Sequence, residues 1–279
     1  MTIDTLKSLL QRYKLNANKT YGQHFLMDET ILEDMIEESG VKSGDAVLEI
    51  GPGIGNLTER LLQHGAEVLA IEKDPQFLNV LTTLAKEYNT KTKANLTYEI
   101  TDVLSYNFSE KLKDRPYRVV ANIPYYITGK IVQLFMHAPH KPESLTLLMQ
   151  KEVAYNLAAK VGEMNLSAIS TQLYADPRVV CVVPGHKFYP APKVDSAVIH
   201  IALRKKAKYK VKDEAKLFRV LRACFSGKRK QLHNTLTNNL SLKKEVVETT
   251  LKKLKIDPAV RPQALSIDQW IALVDNLDF

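Results

Sequence analysis

A chain of 279 residues, 45% hydrophobic and 25% charged, can bury one sizeable core with a small module appended, and its composition is that of an ordinary soluble protein. No stretch offers the ~18 uninterrupted apolar residues of a membrane span. Cys181 and Cys224 lie far apart without Cys or His neighbours at metal-ligand spacing, which excludes a disulfide framework and leaves no metal site to expect. The net charge of +8 is uneven: residues 1–203 carry 21 Lys and Arg against 23 Asp and Glu, residues 204–279 carry 18 against 8. A tail with a net charge of +10 attracts a polyanion, although a solvated lysine-rich face would look the same.

The first twenty residues are weakly basic, but Asp4 argues against an organelle-targeting peptide, and a reducing, cytoplasmic setting is expected. From Asp28 to Leu203 short apolar runs alternate with amphipathic stretches. Strands are predicted at Ala46–Ile50, Glu67–Ile71, Leu96–Ile100, Tyr117–Ala121, Ser144–Met149, Val179–Val183 and Ala197–Leu203. Helices are predicted near Ile31–Ser39, Leu57–His64, Gln76–Glu87, Gly129–His137, Glu152–Lys160 and Ser167–Tyr174. This alternation implies βαβ units on a mostly parallel, doubly wound sheet, with the last two strands forming an antiparallel hairpin across Pro184–Pro192. After Arg204 apolar residues recur at helical spacing, as in Leu217, Val220, Leu221 and Phe225. The expected organisation is therefore an α/β domain over residues 1–204 and a small, basic helical domain over 205–279.

Val47-Leu48-Glu49-Ile50-Gly51-Pro52-Gly53-Ile54-Gly55-Asn56-Leu57 reads as strand, glycine turn and helix. Glycines let the backbone approach a ligand closely, and the helix start presents unpaired N–H groups. Glu72 follows Gly51 by 21 residues at the end of the next strand, where a carboxylate can accept both ribose hydroxyls. NAD-binding folds share that placement. Asp102 ends the third strand beside the same crevice and can accept an exocyclic adenine amine. Asn122-Ile123-Pro124-Tyr125 ends the fourth strand. An aromatic amine is a poor nucleophile because its lone pair is delocalised into the ring. An Asn oxygen and a carbonyl fixed by the following Pro can accept its N–H groups and turn the lone pair toward an electrophile, while Tyr125 stacks on the base.

That last motif resembles the signature of the adenine and amine methyltransferases. Taken with Tyr21-Gly22-Gln23-His24-Phe25-Leu26, Glu49-Ile50-Gly51-Pro52-Gly53 and Phe188-Tyr189-Pro190-Ala191-Pro192-Lys193-Val194-Asp195-Ser196, the chain from Tyr21 to Phe279 resembles the KsgA/RsmA family of ribosomal RNA adenine dimethyltransferases. The resemblance implies a Rossmann-like class I methyltransferase domain using S-adenosylmethionine. It assigns Gln23, His24, Leu26, Gly51, Gly53, Glu72, Asp102 and Asn122 to the methyl donor, with His24 standing where the family usually has Asn. It also implies that Asn122 orients the adenine and that Tyr125 and Phe188 hold it between them. The partner implied is small-subunit rRNA, or a pre-assembled small subunit, dimethylated by a monomer at two adjacent adenosines. Arg219, Arg222, Lys228, Arg229 and Lys230 around Phe225-Ser226-Gly227 would touch rRNA phosphates. The macrolide-resistance type of large-subunit rRNA methyltransferase shares every motif class. A non-catalytic assembly factor on the same fold is the rival from another class.

Overall fold

The computed structural model describes residues 1–18, 21–91, 94–112, 115–227 and 230–277. Among the described residues there are nine strands: β1 (Phe25–Leu26), β2 (Ala46–Ile50), β3 (Glu67–Glu72), β4 (Asn95–Ile100), β5 (Tyr117–Asn122), β6 (Ser144–Gln150), β7 (Ala175–Val183), β8 (Phe188–Tyr189) and β9 (Ser196–Leu203). The helices are α1 (Ile3–Arg12), α2 (Glu29–Ser39), α3 (Asn56–Gln63), α4 (Leu78–Lys91), α5 (Ser109–Leu112), α6 (Thr128–Met136), α7 (Lys151–Leu157), α8 (Leu166–Gln172), α9 (Glu214–Phe225), α10 (Leu232–Leu240), α11 (Lys244–Lys253) and α12 (Ile267–Asp275).

Seven strands form one sheet in the order β4-β3-β2-β5-β6-β9-β7. β2 pairs in parallel with β3 on one side and β5 on the other, so the winding reverses between β2 and β5. A crevice opens at the carboxyl ends of strands at such a reversal, which places the ends of β2, β3 and β5 around one hollow. β2 is buried along its whole length, as a central parallel strand covered on both faces must be. β9 runs antiparallel to both β6 and β7, so the expected hairpin closes the sheet. β7 starts at Ala175, four residues before the predicted strand, and carries Pro177 on the sheet's outer edge, where a missing N–H costs no ladder bond.

Four elements went unpredicted: α1, α5, β1 and β8. α1 is capped by the Thr2 side chain, which accepts from Thr5 N, and buries Leu6 and Leu10 in a small core with Phe25, Ile54 and Phe77. β1 and β8 pair antiparallel, Phe25 opposite Tyr189 and Leu26 opposite Phe188.

The chain divides into two compact units, Met1–Ala154 with Ala175–Leu203, and Tyr155–Tyr174 with Arg204–Phe279. The second division falls at Arg204, but residues 155–174, expected within the α/β domain, belong to the helical unit. The cause is packing: Met164, Ala168, Ile169 and Leu173 share a buried core with Leu217, Leu221, Leu236, Leu251 and Trp270. Among the described residues no helix is long and apolar enough to cross a membrane.

Candidate active site

The strand β2 delivers the chain into a turn in which Gly51, Gly53 and Gly55 all have positive φ, at 69°, 55° and 83°. A side chain at Gly55 would also collide with Leu84. Gly51 N donates to Ile71 O at 2.9 Å, fastening the turn to β3, and α3 then starts at Asn56. The Asn56 side chain donates to Leu26 O at 3.0 Å, tying β1 over the turn.

One cavity is lined by this turn and by most of the residues singled out in the sequence: Gln23, His24, Leu26, Gly51, Gly53, Glu72, Asp102, Asn122 and Tyr125. Apolar walls come from Ile50, Ile54, Leu57, Ile71, Phe77 and Val103. Glu72 ends β3 at 6% exposure; its Oε2 accepts from Gly53 N at 3.0 Å and its Oε1 from Asp74 N at 2.8 Å. Burial pushes its pKa upward against those backbone bonds. Each carboxylate oxygen retains a second acceptor position for a ligand hydroxyl. Asp102 follows β4; its Oδ1 caps Leu104 N and its Oδ2 accepts from Lys73 Nζ at 2.8 Å, which holds its pKa below the usual carboxylate range. Lys73 had no role in the sequence analysis, although its place directly after Glu72 was readable.

Gln23 is engaged on both sides of its amide. Its Oε1 accepts from Asn18 N at 2.7 Å and its Nε2 donates to Asp74 Oδ2 at 2.9 Å, so it ties down the loop before β1. The His24 ring lies 5.8 Å from the Tyr125 ring at 24° between planes, and its Nδ1 meets Pro190 O at 2.6 Å. Asn122 Nδ2 donates to His24 O at 3.2 Å, while among the described residues no donor pairs with its Oδ1. After it Pro124 turns the chain and a 3-10 turn carries Tyr125–Ile127. The Tyr125 hydroxyl is 2.7 Å from Ser196 Oγ on β9, a partner 71 positions away with no signal in sequence. Burial raises the Tyr125 pKa, so the phenol stays neutral.

Phe188 is not brought to this cavity. It is 3% exposed and packs in the sheet's core with Leu26 and Val183, because the β1–β8 pairing turns it inward. The wall facing Tyr125 is the His24 ring.

The cavity also contains a buried acid. Glu49 is 1% exposed, and its Oε2 and the neighbouring Thr58 Oγ1 both lack a hydrogen-bond partner. Burial lifts the Glu49 pKa from 4.5 to about 8, and the Glu72 charge adds to the rise. In the helical unit Arg219 and Arg222 lie on the exposed face of α9, and Lys230 is exposed; Lys228 and Arg229 lie outside the described residues. Among the described residues no group of His, Cys, Asp or Glu could hold a metal ion.

A parallel-dominated sheet of this order, with a glycine turn, strand-end acids and an Asn-Ile-Pro-Tyr turn on one cavity, defines a Rossmann-like class I methyltransferase. Two solved structures resemble it over nearly their full lengths. A dimethyladenosine transferase from Plasmodium falciparum superposes with a TM-score of 0.76 at 26% identity, covering 90% of this chain and 96% of that one. The 23S rRNA methyltransferase ErmE gives 0.72 at 25%, covering 91% and 100%. Residues 14–278 match the family model for ribosomal RNA adenine dimethylase. Relatives called ribosomal RNA small subunit methyltransferase A include one from Dehalococcoides mccartyi, 39% identical over 265 residues, covering 95% of this chain and 89% of the relative. Another, from Lachnoclostridium phytofermentans, is 36% identical over 278 residues, covering 97% and 94%. The chain belongs to the ribosomal RNA adenine dimethylase family.

Proposed function

We propose that this protein uses S-adenosylmethionine to methylate the N6 amine of adenosines in small-subunit rRNA, dimethylating two adjacent adenosines, and that it acts in the cytoplasm as a monomer. The observation that carries the reading is the convergence of Asn122 and Tyr125 with Glu72, Asp102 and the glycine turn on one cavity. The donor fits these residues. Glu72 offers acceptors to ribose hydroxyls and Asp102 to the adenine amine. The orphaned Glu49 Oε2 leaves the cavity a polar position unmatched by the protein. When bound, S-adenosylmethionine supplies an electrophilic methyl group on a sulfonium sulfur.

The chain's own part is orientation. Asn122 Oδ1 and the Ile123 carbonyl, held by Pro124, accept the two N–H groups of the target amine and turn its lone pair toward the donor. Tyr125 provides a flat neutral surface for the base, braced by Ser196. The protonated amine formed by attack is acidic enough to pass its proton to water, so no strong base is required of the cavity. Positioning and electrostatics carry the acceleration. Residues 1–154 with 175–203 hold the donor and the base. The basic helical unit, with Arg219, Arg222 and Lys230 exposed, meets rRNA phosphates and so positions the enzyme without reading sequence.

The likeness to ErmE favours a second reading, methylation of large-subunit rRNA. The names and full-length identities of the closer sequence relatives support the first. Transfer of labelled methyl to unmodified small-subunit particles and, separately, to large-subunit rRNA decides between them. Dimethyladenosine on the small-subunit substrate alone, lost in Asn122→Ala, is the expected result. Labelling confined to large-subunit rRNA would transfer the assignment, and a wild type inactive on both would leave only a non-catalytic role.

A further inference from the structure

We propose that Tyr126 is a stacking platform for an unpaired nucleobase flanking the target adenosine, so that the mouth of the cavity grips two nucleotides of one RNA strand. This rests on the RNA-methylating reading above. The 3-10 turn Tyr125–Ile127 sends consecutive tyrosines to different places. Tyr125 turns its hydroxyl to Ser196, whereas Tyr126, lining the rim of the same cavity, is 54% exposed. Its hydroxyl has no hydrogen-bond partner among the described residues. Other large side chains are as exposed, Tyr155 among them, but Tyr126 stands at a cavity entrance, where its face is open to a ligand.

The surroundings suit a nucleotide. The positive-φ Gly22 lies against one edge of the ring: a Cβ there would stand 3.7 Å from Tyr126 Cδ1, so the loop braces the ring without a side chain over it. Lys73 lines the cavity, and Lys130 stands near enough for its charge to act on the same Asp102 carboxylate. Lys73 is paired with Asp102 at 2.8 Å, and Lys130, exposed near the start of α6, has no ion pair among the described residues. Both charges bear on the Asp102 carboxylate, Lys73 more strongly. An aromatic face interleaved with lysines is the arrangement that holds single-stranded nucleic acid. Extracting one base from its stack also strips a stacking partner from the neighbour. A tyrosine at the rim restores that contact and so favours the extruded state.

The test compares wild type with Tyr126→Ala, Tyr126→Phe and Tyr126→Trp on unmodified small-subunit particles, with S-adenosylmethionine binding measured by calorimetry. Tyr126→Ala is expected to raise KM for the particle about tenfold to a hundredfold, the loss of one base–aromatic stack, with kcat within about threefold. Donor affinity stays at the wild-type level, and Phe and Trp restore KM. A companion measurement uses an unmodified rRNA hairpin made abasic on either side of the target adenosine. On one side the lesion weakens binding to wild type by the same factor and has no further effect on Tyr126→Ala. An unchanged KM in the alanine variant, additive effects of lesion and variant, failure of Phe and Trp to rescue, or a parallel fall in donor affinity would each overturn the proposal. A wild type that methylates no particle would instead defeat the underlying functional reading.

Discussion

Glu49→Gln should remove a pH dependence of stability that the wild type carries between about pH 4.5 and 8. In the folded chain the carboxyl is 1% exposed and holds its proton up to about pH 8, chiefly because burial penalises the anion. In the unfolded chain the same group ionises near its ordinary value of 4.5. Across that interval the folded state binds more protons than the unfolded state, so stability is full below pH 4.5 and falls as pH rises toward 8. At about 1.4 kcal/mol per tenfold, the loss between pH 5 and pH 8 is roughly 3 to 4 kcal/mol. Glutamine has nearly the same shape, cannot ionise, and can donate to the unpartnered Thr58 Oγ1, so the variant folds and lacks this slope. His200, whose pKa burial lowers, has the opposite sign, but it is common to both proteins and cancels in their difference. Urea unfolding followed by circular dichroism at pH 5, 6, 7 and 8 gives that difference directly. Wild-type and variant curves that stay parallel within about 0.5 kcal/mol would refute a buried neutral acid at this position.

Three further outcomes are expected. Asn122→Ala should lower kcat on unmodified small-subunit particles, measured at saturating S-adenosylmethionine, by about a hundredfold to a thousandfold, the usual cost of losing one oriented acceptor or donor. Lys73→Met should leave stability within about 0.5 kcal/mol, because its pair with Asp102 is half exposed, but releases the carboxylate from the charge that holds its pKa down. Donor affinity measured against pH should then fail at higher pH on the acid side than in wild type. Gly55→Ala should destabilise the α/β unit by about 1 to 3 kcal/mol in thermal unfolding, since φ is +83° and the new methyl meets Leu84.

Much of this molecule was legible before the structure. Runs of five to seven residues gave β2 to β6 and β9 nearly to the residue; a central strand such as β2, buried on both faces, is apolar almost throughout, whereas β4, at the sheet's edge, is mostly half-buried or exposed. The glycine turn, the acids at the ends of β3 and β4 and the Asn122–Tyr125 turn were found for the same local reason: each needs particular residue types in consecutive or near-consecutive positions. Amphipathic periodicity likewise marked α9, through Leu217, Val220, Leu221 and Phe225.

What stayed hidden was every feature set by which surfaces meet. Residues 155–174 showed a helical apolar face, but nothing local says whether that face covers a sheet or joins Leu217 and Trp270. Two-residue strands such as β1 and β8 have no period to detect, and their pairing is what buries Phe188 and sets the His24 ring, not Phe188, against Tyr125. The Lys73–Asp102 and Tyr125–Ser196 contacts join residues 29 and 71 positions apart. Residue types and their local spacing determined the elements and the chemistry on offer; only tertiary packing, which alone assigns partners to faces distant in sequence, decided which side chains share the cavity.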